Sequence, residues 1–347
     1  MNIVIIYFKK GDNSVAKSIF TSISDFSKNC VDLDSTKLGT ARSSRNWLVE
    51  KIEKFENNDE YFPEIYTKEN NVQMGSFARK TKIRPLDDID FIIVFTGNGS
   101  TYNTTFNNGE ITISVPEKAT NLRRLTNDDY TLNSIKLLNK LKSSLQNVPQ
   151  YSAADIKRNQ EAITLKLTSY DWNFDIVPAF ITAPDSLQKT YYLIPDGNGK
   201  WKKTDPRVDA KRATEINQKR DGKALRIIRL IKYWQKRPIV PGIGSYLIEN
   251  LVLNYFDTNE VSVTDQYTLR DVFYYLSNSI YSSCYDPKEI QGDLNTLPLE
   301  TKQKFSEAAT KACSCAQNAI DFVAKGDHKA AHDEWKKVFG SEFPDYE

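Results

Sequence analysis

Gln73-Met74-Gly75-Ser76, eleven further residues, and then Asp88-Ile89-Asp90-Phe91 form the stretch on which the reading of this chain turns. Alternate residues of a strand project from one face, so a strand starting at Asp88 presents Asp88 and Asp90 together while Ile89 and Phe91 enter a core. The tail Phe91-Ile92-Ile93-Val94-Phe95 is apolar on both faces, which predicts a strand in the middle of a sheet. Asp87 points to the opposite face and is not grouped with the pair. A third carboxylate, Asp175, stands in a similar setting, Phe174-Asp175-Ile176-Val177-Pro178. The pattern predicts strands over 162–168 and 173–180 joined by the tight turn Ser169-Tyr170-Asp171-Trp172, a hairpin that brings Asp175 beside the Asp88 strand if both share one sheet.

Working outward, residues 12–29 and 33–56 read as helices, the second with Leu38, Ala41, Trp47, Leu48, Ile52 and Phe55 at helical spacing. Residues 61–66 suggest a short strand leading to Gly75. The stretch 96–127 is rich in Asn, Thr and Gly, contains one strand at 110–115, and reads as a variable insertion near the mouth of a site. A helix is expected over 132–145. Beyond Pro184 the character changes: Lys200 to Arg237 holds fourteen basic residues against Asp205, Asp209, Glu215 and Asp221. Lys223, Arg226, Arg229 and Lys232 recur every third residue, opposite an apolar side with Leu225, Ile228, Ile231 and Tyr233. A helix docked in this way holds its charges in fixed positions, which suits phosphate binding. Further helices are expected over 245–256, 269–280, 299–324 and 327–339, the last stopped by Gly340. The fold class is α+β, with a mixed-sheet domain at 1–184 and a helical domain at 185–347.

Charge is nearly balanced, 47 basic against 45 acidic residues, which argues against a protein that coats DNA. No apolar run has the length of a membrane span or a secretory leader, so a cytosolic protein is expected. The four cysteines follow no disulfide framework. His328 and His332 share a helix face at i and i+4, but no Glu beside the first supplies a base, and an ordinary solvated face is expected.

Paired carboxylates, a third carboxylate and a Gly-Ser loop suit nucleotidyl transfer. That chemistry must deprotonate a hydroxyl, neutralise charge at the α-phosphorus and stabilise departing pyrophosphate, all of which two Mg²⁺ ions about 4 Å apart can do, with Mn²⁺ able to substitute. Asp88, Asp90 and Asp175 are the candidate catalytic residues and metal ligands. Gly75 lets backbone approach the phosphates, and Ser76 adds hydroxyl and amide donors. Lys232 could reach the triphosphate, Ser245 could present a hydroxyl at a helix start, and Tyr246 could stack on a base. Each also has a plain reading, as a surface lysine, an N-cap serine and a core tyrosine.

The Gly-Ser to Asp-x-Asp spacing, Asp175-Ile176-Val177-Pro178, Trp201 to Pro206, Ile231-Lys232-Tyr233-Trp234 and Gly244-Ser245-Tyr246-Leu247-Ile248-Glu249 together resemble the CD-NTases, bacterial relatives of animal cyclic GMP-AMP synthase and the oligoadenylate synthetases. The resemblance covers roughly residues 33–343. It implies a polymerase β-like nucleotidyltransferase lobe and a helical lobe with a central cleft, the helix 33–56 acting as a spine. It also implies that nucleoside triphosphates, ATP among them, are joined into a cyclic di- or trinucleotide that activates an effector protein in anti-phage defence, sometimes under regulatory proteins. By the same resemblance Asp88, Asp90 and Asp175 match the metal ligands, Gly75 and Ser76 the phosphate loop, Lys232 and Ser245 the triphosphate contacts, and Tyr246 the stacking aromatic. The zinc thumb of the animal enzyme has no counterpart, so DNA is not an expected obligate partner. Modification of RNA, protein or a small molecule stays open beside this reading, as does a catalytically silent nucleotide- or RNA-binding module.

Overall fold

The computed structural model describes residues 18–66, 68–104 and 110–346. Along the chain these form α1 (Ile19–Phe26), continued by a π-helical turn at Ser27–Val31, then α2 (Ser35–Ile52), α3 (Phe55–Asn58), β1 (Val72–Met74), α4 (Gly75–Ala78), β2 (Asp88–Val94), β3 (Thr101–Thr104), β4 (Ile111–Ser114), α5 (Thr120–Arg123) and α6 (Ser134–Gln146). There follow β5 (Asp155–Asn159), β6 (Ala162–Lys166), β7 (Asn173–Ile181), β8 (Tyr192–Pro195), β9 (Trp201–Thr204), α7 (Pro206–Lys219), α8 (Lys223–Gln235), α9 (Ser245–Thr258), α10 (Asp265–Ser279), α11 (Leu299–Ala324) and α12 (His328–Phe339). The chain divides into two compact units. One comprises 32–229 and 283–296; the other comprises the described part of 1–31 together with 230–282 and 297–346.

The first unit is built on one sheet with the order β1-β2-β7-β8-β9-β4-β3, and β6 and β5 branch from β7. Among the described strands only β2 and β7 pair in parallel, from Asp88 against Asn173 to Val94 against Ala179. Both strands carry alternating burial at their starts and full burial beyond, which is why they occupy the centre. Ile89, Phe91, Ile93, Phe174 and Ile176 join a core with Ala41, Leu48 and Ile52 of α2 and Leu137, Leu138, Leu141 and Leu145 of α6. Ile92, Val94, Val177 and Ala179 pack on the other face with Tyr192 and Ile194. By the two-residue period, Asp88, Asp90 and Asp175 belong to this second face, upstream of its apolar part. Asp34 caps α2 through the backbone N–H groups of Thr36 (2.9 Å) and Lys37 (3.0 Å), fixing where the long helix starts.

Several expectations need correction here. The Asn-rich stretch holds the strand expected at 110–115, as β4, and also β3, which was not expected; the pair extends the sheet, β4 joining β9 at Ile111–Trp201. Polar strands at an edge leave little hydrophobic pattern to read. Residues 61–66 contribute a single bridge, Ile65 to Phe95, in place of a strand. Trp47 is exposed although it shares the α2 spacing. The expected division after residue 184 falls between β7 and β8, which pair with each other within this unit. The start of the expected helix at 12–29 lies outside the described residues.

The helical unit packs α10 on α11 and α11 on α12. Phe26 of α1 stands 5.0 Å from both Tyr233 and Phe339 and 5.4 Å from Phe343, so an aromatic cluster ties residues 18–31 to the end of the chain. His332 is part of this junction and is 1% exposed, contrary to the solvated face expected for it. Its Nε2 shares a 2.9 Å hydrogen bond with Ser22 Oγ, and its Nδ1 lies 2.7 Å from the carbonyl of His328. No helix among the described residues is long and apolar enough to cross a membrane.

Candidate active site

One row of residues crosses four strands. Met74 pairs with Asp90, Asp90 with Asp175, and Asp175 with Thr164. Parallel pairing of β2 and β7 therefore sets two of the three candidate carboxylates side by side, with Asp88 one step along the same face. Thr164 Oγ1 donates to Asp175 Oδ1 at 2.5 Å.

Gly75 follows Met74 at φ +72°, and a Cβ there would come within 1.9 Å of Asp90 Oδ2. Backbone conformation and space thus both require glycine where the loop presses on Asp90. The Ser76 carbonyl accepts from the backbone N–H of Thr81 (2.9 Å) and Lys82 (3.1 Å), which folds the loop back. That return brings Lys82 to the carboxylates: its ammonium pairs with both Asp87 and Asp88, and its side chain is only 13% exposed.

The electrostatics are unbalanced. Burial, with Asp88 and then Asp175 nearby, pushes the Asp90 carboxyl up to about 7, against the opposing pull of Lys82 and Arg79. Asp88 is also raised, by burial and by its bond with Asp87, although Lys82 resists. Lys82 is itself raised: burial would lower it, but the bonds to Asp87 and Asp88 prevail. Such a carboxylate group matches the hard oxygen donors preferred by Mg²⁺. As placed, however, the set is not closed around a common point. Among the described residues no three His, Cys, Asp or Glu side chains stand in a metal-holding arrangement, and Lys82 and Thr164 hold Asp88 and Asp175.

Lys232, Ser245 and Tyr246 belong to the helical unit. Lys232 is buried, with Nζ 2.7 Å from Glu249 Oε1, so it ties α8 to α9. Ser245 opens α9 and is exposed; Tyr246 is half-buried, and its carbonyl accepts from Asn250 Nδ2 at 2.9 Å. A second cation of the basic stripe on α8 is paired as well: Arg229 Nε reaches Asp32 Oδ1 at 2.6 Å.

No family model matches the chain. A probable cyclic nucleotide synthase, IK1_05630 of Bacillus cereus (strain VD146), is 51% identical over 333 residues, spanning 96% of this chain and 100% of that one. The chain belongs to the CD-NTase family of cyclic nucleotide synthases. It is accordingly a nucleotidyltransferase. Two solved CD-NTases share the fold. Escherichia coli MS115-1 CdnC with ATP has a TM-score of 0.68 at 18% identity, covering 94% of this chain and 98% of that one. Vibrio cholerae DncV cyclic AMP-GMP synthase, in complex with the linear intermediate 5′ pppA(3′,5′)pG, has a TM-score of 0.66 at 11% identity, covering 96% and 98%. The mixed sheet backed by helices, with helices toward the C-terminus, is the α+β architecture expected for this CD-NTase.

Three residues in contact with the candidate residues of this CD-NTase, two in the sheet unit and one in the helical unit, escaped the sequence reading. Thr164 was hidden by register: a four-residue turn at 169–172 would set Lys166 against Asp175, whereas β6 ends at Lys166 and residues 167–172 form the loop. Tyr170 stacks on Trp172 within that loop, with ring centroids 4.5 Å apart. Lys82 lies in irregular chain, where no period reveals its direction. Glu249 stood in the quoted Gly244–Glu249 segment, and only the packing of α8 on α9 makes it the partner of Lys232.

Proposed function

We propose that this CD-NTase joins nucleoside triphosphates, ATP among them, into a cyclic di- or trinucleotide with release of pyrophosphate, and that the product signals to an effector protein in cytoplasmic anti-phage defence. Asp88, Asp90 and Asp175 are the proposed catalytic carboxylates. Gly75 and Ser76 are the proposed phosphate loop, with Lys232 and Ser245 as triphosphate contacts and Tyr246 as the base-stacking ring. The observation that carries this reading is the in-register pair Asp90–Asp175 with Gly75 pressed against Asp90. The linear intermediate held by DncV fits a stepwise joining of two nucleotides here as well.

Mg²⁺ or Mn²⁺ held by Asp88, Asp90 and Asp175 would neutralise phosphate charge and ease loss of the hydroxyl proton. The chain's own residues do the rest. Thr164 holds one oxygen of Asp175, and in this reading the other orients the acceptor hydroxyl. Gly75 allows the loop to bring phosphate against the Asp90 side of the sheet. Lys82 neutralises Asp88 and has to yield it before that carboxylate can serve as a ligand.

The test is mass spectrometry of the products formed from equimolar ATP, GTP, CTP and UTP with Mg²⁺. A phosphatase-resistant cyclic product is expected, and its mass gives ring size and base content. Transfer of nucleotide to RNA or protein without any cyclic product would overturn the proposal.

A further inference from the structure

The Phe77–Lys82 segment, which leaves the proposed phosphate loop, forms one wall of a cavity. This space of about 230 Å³ is lined by Asp32, Leu33, Leu38, Arg42, Phe77, Lys80, Lys82 and Arg229. Four of these side chains are cationic and one is anionic, in a chain whose overall formal charge is only +2. Cations gathered in a concavity with apolar walls concentrate field there, and Leu33, Leu38 and Phe77 supply those walls.

The cavity is also held in shape. Arg229 Nε pairs with Asp32 Oδ1 at 2.6 Å, and its Nη1 donates to the Lys80 carbonyl at 2.9 Å. One guanidinium therefore ties the segment before α2 to the end of the phosphate loop. Lys80 sits at φ +60°, a left-handed conformation that side-chain-bearing residues rarely adopt. Arg84 Nε also bonds the Asp32 carbonyl, so both oxygens used by Asp32 are fixed. Asp32 neutralises Arg229, and Lys82 is paired with Asp87 and Asp88, which leaves Arg42 and Lys80 to set the charge of the space. Arg42 and Lys80 are exposed, whereas Lys82 also contacts Asp87 and Asp88. The cavity and the carboxylate row thus share one lysine.

We propose that this cavity binds a phosphate dianion, with Arg42 and Lys80 as its principal contacts and Lys82 as the link to the carboxylate row. Guanidinium and ammonium groups recognise phosphate oxygens through charge-assisted hydrogen bonds. An anion there competes with Asp88 for Lys82 and so favours release of that carboxylate. Two sources share the chemistry: departing pyrophosphate, and the phosphate tail of a waiting nucleotide. The choice between them rests on the proposed function; the binding of an anion does not.

The experiment is isothermal calorimetry on the whole chain in EDTA at fixed ionic strength, titrating inorganic phosphate, pyrophosphate and ATP separately. Because neither metal nor turnover is involved, failure here is distinguishable from failure of the cyclic-product assay. Saturable binding of phosphate and pyrophosphate at one site is expected, weakened roughly tenfold or more by the double substitution Arg42→Ala and Lys80→Ala. The charge-preserving pair Arg42→Lys and Lys80→Arg should retain it, which separates lost charge from lost folding. The affinity that the Ala pair removes decides the source: a larger loss for pyrophosphate than for ATP points to the leaving group, and the reverse order to a waiting nucleotide; either supports the site. No saturable binding of phosphate or pyrophosphate, or equal affinity in the Ala pair, overturns it.

Discussion

Two groups of carboxylates gathered around a lysine lie in the sheet unit, and they are balanced in opposite ways. In the first, Lys288 Nζ sits 2.8 Å from Asp286 and 3.3 Å from Asp209, all three buried. Asp286 further accepts from the backbone N–H groups of Lys288, Ile290 and Gln291. Burial works against its charge, yet Lys288 and the Gln291 N–H hold its carboxyl below the ordinary value. In the second, Lys82 serves Asp87 and Asp88, and Asp90 is pushed up to about 7 by burial first and then by Asp88 and Asp175. A satisfied cluster stiffens a fold, whereas an unsatisfied one facing the proposed phosphate loop is poised for a cation or a proton.

The contrast predicts that breaking the second group should abolish chemistry and breaking the first should cost stability. Asp90→Asn is expected to lower cyclic product formation roughly 10³-fold or more, an increase of about 4 kcal/mol in barrier, measured as initial rate at saturating nucleotide. Lys288→Met leaves Asp209 and Asp286 buried without their cation and should destabilise the fold by about 3–5 kcal/mol in denaturant melts. Turnover per folded molecule should stay near that of the parent chain. Equal damage to turnover would erase the distinction between the two groups.

Asp90 also makes the comparison depend on pH. Its folded-state value of about 7 lies above the ordinary 3.8, so the fold retains a proton that the unfolded chain releases. The stability it contributes is fully present below about pH 4, is lost as pH rises to 7, and does not change further above that. Asp90→Asn should therefore stabilise the protein in EDTA at pH 8 by on the order of 3 kcal/mol, a gap that shrinks as pH falls toward 4. Thermal melts across that range check it, and a pH-independent gap would contradict the assignment. The smallest effect belongs to Thr164→Val, which removes the bond to Asp175. A loss of roughly tenfold in rate is expected, about 1.4 kcal/mol of barrier, with Thr164→Ser restoring it.

Strands β2 and β7 were legible because an apolar run buried on both faces must lie centrally in a sheet, and α11 was read to its ends, Leu299–Ala324. That Asp175 lies beside the Asp88 strand was expected if both shared a sheet, but its register opposite Asp90 was not legible. Elements whose pattern is weak or whose partner is remote were not legible. β3 is polar at the sheet edge; His332 is buried by Ser22, 310 residues away; and Thr164 depended on a loop two residues longer than its turn signal suggested. Lys82 illustrates the same limit, since irregular chain gives no period from which to read a side chain's direction.

The most direct measurement of the central claim is the titration of the Asp90 carboxyl by carbon-13 NMR. In EDTA its midpoint should lie near 7, moving down when Mg²⁺ and nucleotide are added, because an added cation removes the like-charge penalty. A midpoint in the ordinary range near 4 without metal would show that the carboxylate row is already balanced, and would contradict the account.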